Sequence, residues 1–270
     1  CYFGTLWALE KMGMKIVEVP TAADVGVRVD DLEHLFKHGR VKAAVLHPNF
    51  QNPLGSVMPD EAKIRVAGLA KRYRVPVIEA DTTADLYVSG SRPKPIQAFD
   101  RSDWVLSYGS FSKLVAPGFR MGYLAPGRFI REAEESLRAI SLATATGPQL
   151  TLAKFMRDGG YESHLRRLRK HFQIQLPRAV RALGEAMPPH TRIGRPQGGY
   201  LLWLQLPRGV SSIEVWRLAL REGISVTPGS LFSTTERYGS YLRLNLGLAW
   251  SAKVESAIRS LGRIVRQLSP

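Results

Sequence analysis

Short apolar runs that alternate with helical stretches are the feature of this sequence that most restricts its fold. In the first half, apolar runs lie at residues 15–19, 43–46, 75–78, 104–106 and 121–124, and helical patterns lie at residues 4–12, 29–38 and 59–73. Almost no two-residue hairpin signal separates the runs. This alternation predicts an α/β fold with a mainly parallel sheet. In such sheets the ligand site lies at the carboxyl ends of the strands.

The pattern changes after Gly127. Two long helical stretches follow, at residues 128–157 and 161–186, and Pro177 is expected to kink the second or to mark a boundary in it. The remaining segments alternate less regularly and predict a smaller C-terminal α+β domain. Its strands are expected at residues 191–193, 200–206, 224–226 and 241–246, and its helices at 212–221 and 252–268. We therefore divide the chain into a large domain, residues 1–157, and a connecting helix with a small domain, residues 158–270.

The composition restricts the surroundings in which the chain works. It has 270 residues, 44% of them hydrophobic, which is enough for a large core. A single cysteine excludes an internal disulfide and fits a reducing cytoplasm. No apolar run reaches the length of a membrane span, and no signal peptide is visible. Because the chain does not begin with methionine, we expect further sequence upstream.

The formal charge of +15 is large, but the arginines are spread along the chain. The densest basic cluster, residues 164–171, keeps apolar residues three and four positions apart, which is typical of a helix with one buried stripe. The histidines, including the pair His164 and His171, lack partners at metal-ligand spacings, so no metal site is predicted. No Gly-x-Gly-x-x-Gly follows a strand, so a dinucleotide site is not indicated.

The segment from Trp104 to Leu124 carries the most chemistry. Its strand is followed by Ser110, Ser112 and Lys113, and Arg120 comes seven residues after the lysine. An amine can form an imine with an aldehyde, while hydroxyls and a guanidinium hold a phosphate dianion. These are the ligand requirements of pyridoxal 5'-phosphate (PLP). An isolated Ser-x-Ser-Lys is more often a surface lysine beside a polar turn, so the interpretation depends on the rest of the chain.

Six segments in order along the chain resemble the fold-type I aminotransferases. They read HPNFQNPLG, VPVIEADTTADLY, SYGSFSKLVAPGFRMGY, QGGYLLW, VTPGSLF and LRLN. The sequence is most similar to the aminotransferase-like domain of the MocR group of GntR-type bacterial transcription regulators. The resemblance implies a PLP-dependent transferase-like large domain whose N-terminal part, with a glycine-rich phosphate loop, is missing here. It also implies that the intact protein forms homodimers. A winged helix-turn-helix domain is expected upstream, and DNA is expected to bind only through that domain.

The resemblance also implies roles for individual residues. Lys113 matches the lysine that forms the Schiff base with PLP. The other matched positions hold the cofactor or substrate: Ser110, Ser112 and Arg120 the phosphate, Asn52 the phenolic oxygen, Tyr2 the ring face, and Arg243 the substrate α-carboxylate. Without the resemblance, a core role for Tyr2 stays open as the less favoured alternative, and Asn52 could be a turn residue before proline.

The sequence departs from the family pattern after the strand at residues 75–78. The family usually has Glu-Asp-Asp-x-Tyr, whose first aspartate accepts a hydrogen bond from the ring nitrogen of PLP and whose tyrosine helps to hold the phenolic oxygen. Here Ala80 stands at the aspartate position and Thr83 at the tyrosine position. Asp81 is adjacent, but neighbouring side chains of an extended segment point to opposite faces. We therefore expect a weakened cofactor site and poor transamination.

Three functions remain open from the sequence. The first is a PLP-binding sensor of an amino acid or amine within a cytoplasmic transcription regulator, and the loss at Ala80 and Thr83 favours it. The second is a working PLP-dependent aminotransferase, favoured by Lys113, Arg120 and Arg243. The third is a scaffold that no longer binds PLP.

Overall fold

The computed structural model describes residues 1–235 and 237–269. It divides into two compact units. Unit 1 comprises residues 1–18, 51–55 and 171–270, and unit 2 comprises residues 19–50 and 56–170. The division falls inside one long helix, α6 (Gly160–Ala186). The domain boundary between residues 157 and 158 remains a prediction.

Unit 2 is built on a four-stranded sheet. The strands are β3 (Ala44–Leu46), β4 (Val77–Ala80), β5 (Val105–Ser110) and β6 (Gly122–Ala125), in that order across the sheet. The first three run parallel and β6 is antiparallel to β5. The predicted α/β fold with a mainly parallel sheet is confirmed.

Helices and a small hairpin complete unit 2. The helices are α2 (Val29–Lys37), α3 (Asp60–Tyr73), α4 (Ile130–Ser141) and α5 (Thr146–Arg157), and the hairpin is formed by β1 (Thr21–Ala22) and β2 (Gly26–Val27). Val77 and Val105 in the central strands have no exposed surface and pack with apolar residues of α2 and α3. Each such buried side chain stabilises the fold by roughly 1.5–3 kcal/mol. This packing fixes the strand ends that carry polar side chains.

The register of β4 and β5 decides which side chains share a face of the sheet. Glu79 lies opposite Ser107 and accepts a hydrogen bond from its hydroxyl at 3.3 Å, so these two side chains point to the same side. The ladder continues beyond β4, because the amide of Asp81 donates to the Tyr108 carbonyl at 2.8 Å. Alternation therefore places Asp81 on the side of Glu79, and Ala80 on the opposite side with Ser110.

Unit 1 has an antiparallel sheet. Its strands lie in the order β7 (Arg192–Ile193), β8 (Leu201–Gln205), β10 (Tyr241–Asn245) and β9 (Thr227–Pro228). Its helices are α1 (Phe3–Lys11), α7 (Ser212–Arg221), α8 (Ala252–Leu268) and the second half of α6. Ser211 and Ser251 cap α7 and α8 by accepting hydrogen bonds from amides three residues on. In the described residues no helix is long and apolar enough to cross a membrane.

Several predicted elements differ in the structure. Residues 224–226 form no strand, and the short strand β9 begins after them, at Thr227. Residues 15–19 form no strand, and the strand predicted at residues 75–78 begins two residues later. The predicted helix at residues 128–157 is two helices, because Leu142 adopts a left-handed conformation that ends α4. Pro177 lies inside α6, which continues through it, so the predicted boundary there is wrong.

Candidate functional site

Lys113 lies in the turn that follows β5. The turn is closed by hydrogen bonds from the amides of Leu114 and Val115 to the Phe111 carbonyl, at 3.2 and 2.8 Å. The buried side chain of Leu114 anchors the turn, whereas Lys113 is exposed. Among the residues that the structure describes, Lys113 has no carboxylate partner. Its amine is therefore available to a ligand.

Two hydroxyls and a guanidinium gather beside this turn. The amide of Ser112 donates to the Ser110 hydroxyl at 3.3 Å, and Arg120 donates from Nη1 to the Ser112 hydroxyl at 3.3 Å. Arg120 has φ 51°, a left-handed backbone that is uncommon outside glycine and often marks functional positions. Two hydroxyls and a guanidinium that has no carboxylate partner among the described residues form a suitable set of donors for a phosphate dianion. Hydrogen bonds thus join Ser110, Ser112 and Arg120, which fit the phosphate end of PLP, and Lys113 follows Ser112 in the same turn.

The position expected to hold the ring nitrogen of PLP carries no carboxylate. Ala80 is buried on the same face of the sheet as Ser110. Asp81 points to the other face, where its Oδ2 pairs with Nη2 of Arg92 at 2.6 Å. Arg92 also pairs with Asp85 at 2.9 Å, so Asp81 belongs to a structural ion-pair network. Asp81 is therefore not available to replace the aspartate that Ala80 lacks.

Thr83, at the expected tyrosine position, is also buried. Its hydroxyl has no hydrogen-bond partner in the described part of the chain. A threonine hydroxyl lies much closer to its own backbone than a tyrosine hydroxyl does. The side chain is thus too short to place a hydroxyl where the tyrosine would place one.

Asn52 and Arg243 meet within unit 1. Asn52 is presented by a compact turn in which the amide of Leu54 donates to the side chain of Gln51 at 2.8 Å. Nη1 of Arg243 donates to Oδ1 of Asn52 at 3.3 Å, although 191 positions separate the two residues. Arg243 also donates from Nη2 to the Thr227 hydroxyl at 3.1 Å.

The guanidinium of Arg243 lies among aromatic rings and pairs with no carboxylate of the described residues. Its carbon lies 5.5 Å from the ring centre of Phe3 and 5.1 Å from that of Phe232. Burial lowers the pKa of Arg243, and the phenols of Tyr200 and Tyr2 oppose this shift. Nε of Arg243 is buried without a partner in the described residues. A partly buried arginine with a free donor is a suitable site for a ligand carboxylate.

Tyr2, the other predicted cofactor residue of unit 1, is 42% exposed and lies at the N-terminal boundary of α1. Its ring packs against Phe3, with ring centres 4.7 Å apart. A core role for Tyr2 is not supported by this exposure. Its exposed ring is free to stack on a ligand.

Several contributing residues were not found from the sequence. Arg92 and Thr227 carry no local signal, because their importance comes from partners that only the fold supplies. His164 was interpreted as part of a helix surface, yet its Nε2 lies 2.8 Å from the carbonyl of Leu114. In the described residues no group of three or more His, Cys, Asp or Glu side chains could hold a metal ion.

The buried carboxyl group of Glu79 is expected to make the stability of the fold depend on pH. It has no exposed surface and accepts hydrogen bonds from the Gln97 amide at 3.1 Å and from Ser107. Burial, with a further contribution from the charge of Asp81, raises the pKa of Glu79 to about 7. Between the ordinary value of 4.5 and about 7 the folded state keeps a proton that the unfolded chain has lost. Stability therefore falls as the pH rises through this window.

We expect Glu79→Gln to remove this pH dependence. The wild-type contribution amounts to roughly 3 kcal/mol across the window. The glutamine keeps an acceptor for the Gln97 amide, so the fold is retained. Unfolding midpoints of both full-length proteins should diverge between about pH 5 and about pH 8, the variant becoming relatively more stable at the higher pH. Parallel profiles would show that Glu79 titrates normally.

Sequence comparisons show which proteins the chain is similar to. The family model described as aminotransferase class I and II matches residues 7–261. The uncharacterized HTH-type transcriptional regulators YdcR and YjiR of Escherichia coli K12 are 35% and 37% identical to the chain, over 99% and 98% of its length. The chain spans only 57% and 56% of these two relatives.

A solved structure provides a second comparison. Kynurenine aminotransferase of Pyrococcus horikoshii was crystallised in complex with PMP (pyridoxamine phosphate). Its structure superposes on this chain with a TM-score of 0.90 and 29% sequence identity. The match covers 98% of this chain and 67% of that enzyme. The fold is thus that of an aminotransferase, with regulators and enzymes among the similar proteins.

Proposed function

Because the chain belongs to the aminotransferase class I and II family, we propose that it is the PLP-binding, ligand-sensing part of a MocR-type transcription regulator. The observation that carries this proposal is the combination of an intact lysine turn with a lost ring-nitrogen acceptor. Ser110, Ser112 and Arg120 are placed to hold a phosphate, while Ala80 leaves a gap that Asp81 does not fill. Such a site can still bind its cofactor, but it is poorly suited to turnover.

When bound, PLP supplies an aldehyde carbon that forms a C=N bond with an amine, releasing the carbonyl oxygen as water, and it acts as an electron sink. Lys113 supplies the amine in this proposal. Ser110, Ser112 and Arg120 anchor the phosphate, and the roles that the resemblance implies for Asn52 and Tyr2 stay predictions. In the described residues neither the amine of Lys113 nor the guanidinium of Arg120 has a carboxylate partner, which supports these roles.

Arg243 selects ligands that carry a carboxylate. Its guanidinium is half-buried, has an unused buried donor among the described residues, and is oriented by Asn52 and Thr227. Hydrogen bonds between a guanidinium and a carboxylate are charge-assisted and are commonly formed in pairs. The ligand that this arrangement favours is therefore an amino acid rather than a simple amine.

The partners of the whole protein follow from the same proposal. YdcR and YjiR are HTH-type regulators of which the chain covers little more than half. We expect DNA to be bound by an N-terminal domain outside this chain, and the intact protein to be a cytoplasmic homodimer.

A working aminotransferase is the second candidate, favoured by the similarity to kynurenine aminotransferase and by Lys113, Arg120 and Arg243. The rate of turnover distinguishes a ligand sensor from a working aminotransferase. The purified full-length protein, mixed with PLP, an amino acid and a 2-oxo acid, is expected to turn over well below about 1 per second, a modest rate for an enzyme. A faster rate would favour the enzyme, and failure to bind PLP would favour a scaffold that has lost its cofactor.

Replacing Arg243 with leucine is expected to weaken the response to amino acids by at least about a hundredfold. Two charge-assisted hydrogen bonds are lost, and each contributes roughly 1.5–3 kcal/mol. The measurement is a titration of the PLP-loaded full-length protein with amino acids, followed by absorbance. Amines without a carboxylate should respond as they do in wild type.

Arg259→Leu provides the matched control for this prediction. Arg259 is an exposed arginine of α8 and is expected to leave the titration unchanged. An unchanged amino-acid titration in the Arg243 variant would show that the carboxylate binds elsewhere.

A further inference from the structure

We propose that His164 is a positioning residue that holds the Lys113 turn in its reactive geometry. This inference rests on the proposed role of Lys113 as the lysine that binds PLP. It goes beyond that role, because His164 neither touches the predicted cofactor residues nor was expected to contribute from the sequence. Both His164 and the turn belong to unit 2.

The hydrogen bond from His164 reaches the residue next to the lysine. Nε2 of His164 lies 2.8 Å from the carbonyl oxygen of Leu114, fifty positions earlier in the chain. A carbonyl can only accept, so the imidazole must carry a proton on Nε2 and donate it. The hydrogen bonds that close the turn use the Phe111 carbonyl and leave that of Leu114 to His164. Since Leu114 is 5% exposed, losing this donor would leave a poorly hydrated carbonyl.

Aromatic rings pack around both partners of the hydrogen bond between His164 and the turn. Phe155 lies 6.2 Å from the ring centre of His164 and 6.5 Å from that of Tyr161. Tyr161 in turn meets Phe111 edge-on at 6.1 Å. Phe111 is the first residue of the turn, and Leu114 lies close to its end. The start of α6 therefore contacts the turn at two residues, Phe111 through Tyr161 and Leu114 through His164. The hydrogen bond fixes the orientation of the Leu114 carbonyl, and the aromatic rings pack the turn against the start of α6.

Holding the turn matters because reactivity depends steeply on placement. The lysine side chain is long and flexible, so its amine is only as well placed as the backbone from which it extends. Displacing a reacting group by about 1 Å can cost about a hundredfold in rate. The lysine contributes no fixing contact of its own in the described residues, so its backbone must be held by neighbours. His164 does this without occupying the ligand site.

The test compares PLP with pyridoxamine phosphate (PMP) in the full-length protein. PMP carries the same phosphate and ring but has no aldehyde, so its affinity does not depend on the Lys113 amine. His164→Leu removes the donor and keeps an apolar side chain, whereas His164→Gln keeps an N–H donor. His171→Leu, in the same helix, is the control.

We expect His164→Leu to weaken PLP binding about tenfold and PMP binding less than about twofold, as measured by spectral titration. His164→Gln should restore PLP affinity to within about threefold of wild type, and His171→Leu should match wild type. Equal losses for PLP and PMP, or no loss in His164→Leu, would overturn the proposal.

Two further outcomes are separated by design. If wild type itself forms no near-visible band with PLP, the proposed function fails, whatever the variants do. If His164→Leu does not fold, His164→Asn takes its place, because its shorter amide ends before the Leu114 carbonyl. The proposal then requires that His164→Asn bind PLP about tenfold more weakly than His164→Gln, and equal affinities contradict it.

Discussion

Replacing Lys113 with alanine is expected to abolish the shift in near-visible absorbance that PLP undergoes, relative to the free cofactor, when it binds the wild-type protein. The turn after β5 presents this amine beside the two hydroxyls and the guanidinium that fit a phosphate. Without the amine no C=N bond to the protein forms there, although the phosphate can still bind. Borohydride reduction followed by mass spectrometry should find PLP attached to wild type and none attached to the variant.

Lys154→Ala is the matched control for this experiment. Lys154 is also an exposed lysine of unit 2, and it pairs with Asp158 at 2.8 Å. Its loss should leave the band and the attached mass unchanged. Persistence of the band in Lys113→Ala would place the reactive amine on another lysine and remove the basis of the proposed site.

Replacing Ala80 with aspartate is expected to raise the rate of transamination about 10- to 100-fold. The new carboxylate would lie on the same face of the sheet as Ser110, where Asp81 does not point. A hydrogen bond to a charged group contributes roughly 1.5–3 kcal/mol, which corresponds to this range of rates if it acts in the transition state. The measurement is the turnover of an amino acid and a 2-oxo acid by the full-length protein.

Ala80→Asn separates charge from shape. Asparagine has nearly the same size as aspartate but no negative charge, so it cannot stabilise a protonated ring nitrogen in the same way. It should therefore leave the rate near that of wild type. If Ala80→Asp is no faster than Ala80→Asn, the low turnover has another cause and Ala80 is not the missing acceptor position.

The sequence was most informative where local chemistry determines structure. Helices α7 and α8 lie at the predicted residues, because each begins after a serine that caps its free amides. Residues 15–19 read as a strand but form none, since a strand requires a neighbour with which to pair. The helical pattern at residues 128–157 continues through Leu142, so a break caused by its left-handed backbone was not visible.

The candidate site shows the same limit. Ser110, Ser112, Lys113 and Arg120 are close in the chain, so their meeting followed from one strand and one turn. The hydrogen bond between Asn52 and Arg243 joins residues 191 positions apart and depends on the tertiary fold. Arg92 pairs with Asp81, and His164 bonds to Leu114. These tertiary contacts leave no periodic pattern in the sequence, so they could not be predicted from it.

We propose that this chain binds PLP through Lys113 and responds to amino acids without efficient turnover. The measurement that bears on this proposal most closely is an absorbance titration of the full-length wild-type protein, first with PLP and then with a panel of amino acids. We expect the near-visible band of PLP to shift from that of the free cofactor when the protein binds it, and to change again with amino acids, at turnover well below about 1 per second. A spectrum equal to the sum of the spectra of the protein and of free PLP would show that the proposal is wrong.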